Sequence, residues 1–330
     1  MTNIRKTNYF DKFRIKKMIS YLNPSIVKHY TKIFRYFPFA HIHSYLPLCL
    51  KFLPESYVIE DKKDILGLIA LSPAHANPFK QTISRLFLDN EDLQIGKQLI
   101  DFVVAKYGSK GAYLFLSIVD TDNEELLELF TKECGFRHCS SKELWLVPDI
   151  KFENENTSFI RPFKNSDAQN VVDLYNDCLI THFKASLKKQ KDEYTDPPFK
   201  SLDYCLMLKY IIEDEISKKP KAFLSIMSND NQNYILTITK SLWYDVSIDD
   251  ILRFSTREVK KRNKNASLYV KVRRYTQQTD ILENYLRERG ASCAQAQAIL
   301  VKDFYREVKE TNTNKILLFN QIKNNTAFKV

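Results

Sequence analysis

Glycine is scarce in this chain: there are six in 330 residues, and five of them (Gly67, Gly96, Gly108, Gly111 and Gly135) precede residue 150. No glycine lies between Leu206 and Arg289, so the second half has no flexible turn in which backbone amides close around a phosphate. Cysteine is sparse too. Its six copies form no CxxC pair and sit mostly inside apolar patterns, so they read as reduced, buried residues of a cytoplasmic protein. The N-terminus has Asn3, Thr7, Asn8 and Asp11 where a signal peptide would carry its apolar core. The most apolar stretch, Tyr36 to Leu53, is interrupted by Pro38, His41, His43, Pro47 and Lys51 and is too broken to span a bilayer. It reads as a packed pair of helices, with a lipid-touching interfacial role as the alternative. His41 and His43 would share a face in a strand, but no third ligand is near in sequence, and no metal site is expected.

What is present is the composition of an ordinary globular protein, 44% hydrophobic with 22 Phe and 18 Tyr, and enough chain for two cores. The net charge of +10 admits nucleic acid, an anionic membrane or an anionic cofactor without choosing among them. The lysines are spread, and the denser groups at Lys188 to Lys191 and Lys260 to Lys264 read as solvated helix faces.

The chain repeats itself. Ile4-Arg5 is followed six residues after the arginine by Asp11 and then by an amphipathic helix pattern; Ile160-Arg161 is followed in the same way by Asp167 and a helix pattern. An acid there is expected to satisfy free amides at the helix start. Further on, an apolar strand (112 to 119) leads to a helix that stops at Gly135, and a second strand (267 to 273) leads to a helix that stops at Gly290. Arg5 and Arg161 are 156 residues apart and the two glycines 155, so two copies of one α/β unit are expected.

In the first copy the patterns predict helix 11 to 22, a helical region 25 to 53, strands 56 to 60, 65 to 71 and 81 to 88, helix 95 to 107, strand 112 to 119, helix 123 to 133 and strand 142 to 147. An acidic linker, Pro148 to Thr157, follows. The second copy predicts strand 158 to 161, helix 167 to 179, helical material 182 to 217, strands 221 to 227 and 233 to 240, helix 247 to 262, strand 267 to 273, helix 279 to 288 and strand 296 to 302. The domains are then 1–150 and 157–310, with a tail at 311–330.

The stretch of most chemical interest is Ser84 to Val104, SRLFLDNEDLQIGKQLIDFVV, a strand feeding a helix through a short turn. Helix N-termini of this kind bind anions.

The order of elements resembles the GCN5-related N-acetyltransferase (GNAT) fold in tandem, each unit a mixed, mostly antiparallel α+β sheet flanked by helices. The family's coenzyme A motif, Q/R-x-x-G-x-G/A, is similar to the segment ending at Gly96, with Gln94 at the first glycine position and Glu91 at the Q/R position. Its later motif, N-x-x-A-x-x-L-Y followed by G-F, resembles Asn123, Leu126, Leu129, Phe130 and Gly135-Phe136, with leucine for alanine and phenylalanine for tyrosine. The resemblance implies an acyl-CoA-dependent N-acyltransferase using acetyl-CoA, or another acyl-CoA, as co-substrate and a small-molecule or peptide amine as acceptor. By the same resemblance Leu86, Phe87 and Leu88 contact pantetheine through their main chain, Gln94, Ile95, Gly96 and Lys97 form the pyrophosphate turn, and Asn123 and Phe130 complete the cofactor site. Asp89, Glu60, His138 and Thr131 are the candidates for proton transfer. The second copy offers Asp245, Asp249 and Asp250 at the equivalent turn, and unscreened acids there imply a degenerate site. The alternatives are a non-catalytic tandem binding module and an aminoacyl-tRNA-dependent transferase.

Overall fold

A computed structural model describes residues 2–8, 10–21, 55–62, 64–74, 77–89, 92–148, 159–196, 206–228 and 230–304. The expected helical region 25 to 53, with His41 and His43, Glu91 and the 311–330 tail lie outside the described residues.

The first half runs β1 (Asn3–Lys6), α1 (Asp11–Tyr21), β2 (Glu55–Asp61), β3 (Asp64–Ala74), β4 (Asn77–Leu88), α2 (Leu93–Gly108), β5 (Leu114–Asp120), α3 (Glu124–Glu128) and β6 (Arg137–Leu146). Helix α3 widens at Leu129–Glu133 into one turn of π-helix. The second half runs β7 (Ile160–Pro162), α4 (Ala168–Cys178), a single turn α5 (Lys184–Leu187), β8 (Leu206–Glu213), β9 (Pro220–Ser228), β10 (Asn233–Lys240), α6 (Ile248–Lys260), β11 (Ser267–Arg273), α7 (Thr279–Glu288) and β12 (Ser292–Asp303). Each half is a mixed α+β unit with one parallel pair, β4 with β5 and β10 with β11, among antiparallel neighbours.

The repeat is visible in matched details. Gly135 and Gly290 both close a helix with positive φ, 68° and 75°, where a side chain would be strained. Arg5 reaches Asp11 at 2.6 and 2.7 Å and Glu60 on β2 at 2.9 Å; Arg161 reaches Asp167 at 2.9 and 3.0 Å and also bonds Glu213 on β8. Neither aspartate caps its own helix in the expected way. Asp11 accepts from the Asn8 amide and Asp167 from the Lys164 amide, each at 2.8 Å, so the acid reaches back across the turn while the arginine ties that turn to the sheet. The Arg161 guanidinium holds the Asp167 carboxyl below the usual carboxylate range. The unfolded chain therefore takes up the proton at higher pH, and this stabilisation is present above about pH 4 and lost as pH falls through the folded value. Replacing Asp167 by alanine is expected to cost about 1–3 kcal/mol in urea unfolding at pH 7 and progressively less as pH falls below about 4; a loss that does not change with pH would count against the clamp.

One expectation is overturned. Residues 206–213, within the stretch read as helical, form β8, paired along its length with β9. Leu208, Tyr210 and Ile212 face the core of the second half and Ile211 the core on the opposite face, and the ladder to β9 overrides a local pattern that suits either state.

Among the described residues the two halves share one sheet of twelve strands in the order β1-β2-β3-β4-β5-β12-β6-β11-β10-β9-β8-β7. The last strands are exchanged. β12 lies between β5 and β6, and β6 lies between β12 and β11, so each half ends in the other's sheet. Packing follows the exchange: Ala298 and Leu300 of β12 join the core under α2 and α3, and Trp145 and Val147 join the core of the second half. On the opposite face α4 packs with Leu114, Cys139, Ile299 and Val301. Among the described residues no helix is long and apolar enough to cross a membrane, and no group of His, Cys, Asp or Glu is placed to hold a metal.

Candidate functional site

The parallel ladder of β4 and β5 runs from Lys80 opposite Leu114 to Ile83 opposite Ser117 and stops there, while both strands continue. On its other side β4 stays paired with β3 as far as Leu88 opposite Gly67. The strands therefore part in a wedge, and the edge that β4 turns toward β5 beyond Ile83 is not covered by β5. Polar backbone at such an edge needs a partner, and an extended amide-bearing chain is a natural one. Leu86 and Leu88 turn toward α2, and Phe87 turns to the other face against Ile15 and Met18 of α1. These three expected contacts thus line the wedge through their main chain.

The start of α2 is organised differently from a phosphate cradle. Asp92 is the N-cap, and its carboxylate accepts from the amides of Gln94 at 2.9 Å and Ile95 at 3.3 Å. Lys97 donates to the Glu133 carbonyl at 2.7 Å and to its carboxylate at 3.3 Å. The Gly96 amide closes onto the Asp92 carbonyl. A Cβ on Gly96 would come within 2.8 Å of Leu129 and 3.0 Å of Leu88, so this glycine lets α2, the π-turn and β4 pack closely. Gly96→Val is expected to cost about 1–3 kcal/mol by thermal or urea melting, as overpacking of a filled core does. An unchanged midpoint would mean that the space is open.

The remaining expected residues have definite places. Asn123 caps α3, accepting from the Leu126 amide at 3.0 Å. Phe130 is buried and lies edge-on to Phe136 with ring centres 5.0 Å apart. Thr131 donates to the Leu127 carbonyl at 2.6 Å. Glu60 is gripped by Arg5 and by Arg14 at 3.2 Å, and its carboxyl is held low chiefly by the Arg5 hydrogen bond. Asp89 is half-buried at the end of β4, and His138 is exposed on β6. The structure therefore gathers Leu86, Leu88, Ile95 and Phe130 into one core, with Gly96 packed against Leu88 and Leu129, and leaves Glu60 in a separate clamp.

The wedge of the second half is closed. β10 and β11 part after Leu236 and Val270, and buried Arg273 crosses the gap, donating to the Ile238 carbonyl at 2.6 Å and the Thr239 hydroxyl at 3.0 Å. Its guanidinium also stacks over Tyr175 and Tyr275. The acids at that helix start are not all unscreened as expected: Asp249 bonds Tyr285 and Arg289.

Sequence reasoning missed a polar row at the seam. Asp120 stands opposite Gln297, Gln297 opposite Lys142, and Lys142 opposite Arg273. An aspartate ending an otherwise apolar strand was the available signal. Its partners, 22 to 177 residues away, were not visible without the exchange. A cavity of about 480 Å³ opens on the other face of the seam among Glu143, Trp145, Arg274, Arg287 and Cys293. Its ions are matched internally, Arg274 to Glu143 at 2.8 Å and to Glu283, and Arg287 to Glu283 at 2.7 Å.

No family model and no curated protein matches the sequence. The fold has close counterparts among solved structures. A tandem GNAT protein from the clavulanic acid biosynthesis pathway superposes with a TM-score of 0.61 at 7% identity, covering 93% of this chain and 100% of that one. A GCN5-related N-acetyltransferase from Sphaerobacter thermophilus gives 0.59 at 9% identity, covering 93% and 97%. At these identities the likeness is one of fold, and the chain has the tandem GNAT fold.

Proposed function

We propose that the chain is an N-acyltransferase that takes its acyl group from a thioester held in the β4–β5 wedge and passes it to the amine of a small molecule or peptide, in the cytoplasm. The observation that carries this reading is the end of the β4–β5 ladder at Ile83 and Ser117, with β4 continuing to Leu88. An acyl-pantetheine arm is peptide-like and would lie along that edge as an added strand, its carbonyl polarised by a backbone amide.

Coenzyme A as a whole fits less well. The pantetheine part suits the wedge, but at the α2 start the amides of Gln94 and Ile95 are bonded to the Asp92 carboxylate and Lys97 to Glu133, which leaves no built donor set for a diphosphate among the described residues. No step is therefore derived through that part. An expected consequence is that S-acetylpantetheine serves as donor with kcat/KM within about tenfold of acetyl-CoA, and that Asp92→Asn improves acetyl-CoA more than the truncated thioester. Release of free thiol with a panel of amines measures both. A strong preference for acetyl-CoA that Asp92→Asn abolishes would show the turn to be a working diphosphate site and overturn the account of Asp92.

The Asp92 cap also favours a second reading, a binding module without turnover. The absence of thiol release from either donor, with retained binding by calorimetry, would select it.

A further inference from the structure

The cavity of about 480 Å³ at the seam draws its walls from both halves. Glu143 and Trp145 come from β6 of the first half, whereas Arg274, Arg287 on α7, and Cys293 and Ala296 on β12 come from the second. The exchange of β6 and β12 therefore builds it, and neither half contains it alone. Its size is that of small-molecule sites, which combine apolar walls with a few placed polar groups.

The ion pairs in these walls fix the two guanidinium groups without saturating them. A guanidinium has five N–H donors. Arg274 commits three: its Nε and one Nη2 donor go to Glu143 Oε1 at 3.0 and 2.8 Å, and one Nη1 donor goes to Glu283. Arg287 commits two, from Nε at 3.2 Å and Nη2 at 2.7 Å, both to Glu283 Oε1. Two N–H groups on Arg274 and three on Arg287 are thus left without an acceptor among the described residues. Each carboxylate oxygen, by contrast, already has a donor: Glu143 Oε2 takes the Trp145 indole N–H at 2.9 Å, and the two oxygens of Glu283 take one arginine each. The unused hydrogen-bonding capacity around the cavity is therefore donor capacity. The arginines are also held in place. Glu283 is buried, and the hydrogen bonds from Arg274 and Arg287 keep its carboxyl below the usual range, so the cluster stays charged at neutral pH. The Arg287 guanidinium lies over the Trp145 ring, 5.2 Å from its centre, which sets the plane of its donors.

We propose that this cavity binds a small organic anion, a carboxylate or a phosphate ester, whose oxygens take the unused donors of Arg274 and Arg287 and whose body rests against Trp145 and Ala296. Two arginines and two glutamates carry no net charge, so bulk attraction does not choose the ligand. Forked guanidinium donors choose an oxyanion by geometry. A lone oxyanion fills little of the space, and the rest of the wall is apolar, which requires a carbon body beside the acid group. The residues lie on β6, β12 and α7, with β5 between them and β4, so the site is separate from the wedge and independent of the acyltransferase reading.

The test uses the full chain and two readouts. Trp145 and Trp243 are the two tryptophans, and Trp243 is exposed in the loop after β10, so Trp243→Phe leaves Trp145 as the single indole reporter. Cys293 is the exposed thiol among the described cysteines, so its alkylation by iodoacetamide, followed on its own peptide by mass spectrometry, reads occupancy of the wall. Benzoate and phenyl phosphate are the probes. At least one is expected to change Trp145 fluorescence saturably, with Kd between about 10 µM and 1 mM, to slow alkylation of Cys293 and to raise the melting temperature. The probe that binds more tightly identifies the acid group. Benzyl alcohol, which has the ring without the charge, is expected to do none of these. Arg287 is 64% exposed, so Arg287→Ala should remain folded, and it is expected to weaken the binding at least tenfold, with Arg287→Lys restoring little of it. The assignment is overturned if neither probe at about 10 mM gives a saturable change or protects Cys293, if benzyl alcohol protects equally, or if a folded Arg287→Ala binds undiminished.

Discussion

A chain that ends at Gly290 is expected to lose the fold of both halves. Removing β12 takes away the strand between β5 and β6, and with it Ala298, Ile299, Leu300 and Val301, all buried. At about 1.5–3 kcal/mol for each large buried side chain, the loss from Ile299, Leu300 and Val301 is on the order of 5–9 kcal/mol, comparable to the whole stability of a typical domain. Two central strand edges would also be uncovered, which invites aggregation. The residue 1–148 fragment meets the same problem from the other side, because Leu300 and Ala298 complete its core under α2 and α3. Both fragments are expected to be insoluble or to lack a cooperative thermal transition by circular dichroism, and co-expression of 1–148 with 159–330 should restore soluble material. A sharp, cooperative melt of 1–148 alone would mean that the first half closes its own sheet.

Arg273→Ala is expected to destabilise the protein by about 2–4 kcal/mol in urea, and Arg273→Lys to recover less than half of that. The guanidinium is buried, bonds the Ile238 carbonyl and Thr239, and lies over the rings of Tyr175 and Tyr275. Among the described residues its hydrogen bonds go to a carbonyl and a hydroxyl; truncation leaves that carbonyl in a gap between parting strands, at the cost of an unsatisfied buried acceptor and two stacking contacts. Lysine has neither the planar face nor the forked donors. On the proposed acyltransferase reading, the same variants should leave acyl transfer within severalfold of that of the native chain when measured well below their unfolding midpoint. A loss under 1 kcal/mol for Arg273→Ala would mean that the gap is held closed by something else.

Much of the architecture was legible because the repeat is written in local features. An arginine on the first strand and an acid six residues on must meet across one turn, and a glycine must follow a helix that ends with positive φ; both signals recur at Arg5 and Arg161 and at Gly135 and Gly290. The alternating run of β8 was read as helical because half its residues suit either period, and only its ladder to β9 settles the matter. At the candidate site, Gly96 was legible as a required small residue. Its reason was not, since Leu129 approaches from a helix 33 residues away. The role of Asp92 as the cap that occupies the Gln94 and Ile95 amides depended on where α2 begins, two residues earlier than the periodicity placed it.

The amino-acid sequence by itself determined that there are two α+β units, that helices stop at Gly135 and Gly290, and that the second unit lacks the glycine turn for a phosphate, because those properties depend on residues within a few positions of one another. The tertiary structure alone decided which strand follows β5. β6 and β12 are both apolar strands able to pair with either neighbour, and the choice between them turns on packing summed over the whole sheet. That choice brings Gln295 and Gln297 to Asp120 and sets Lys142 opposite Gln297 in the same row.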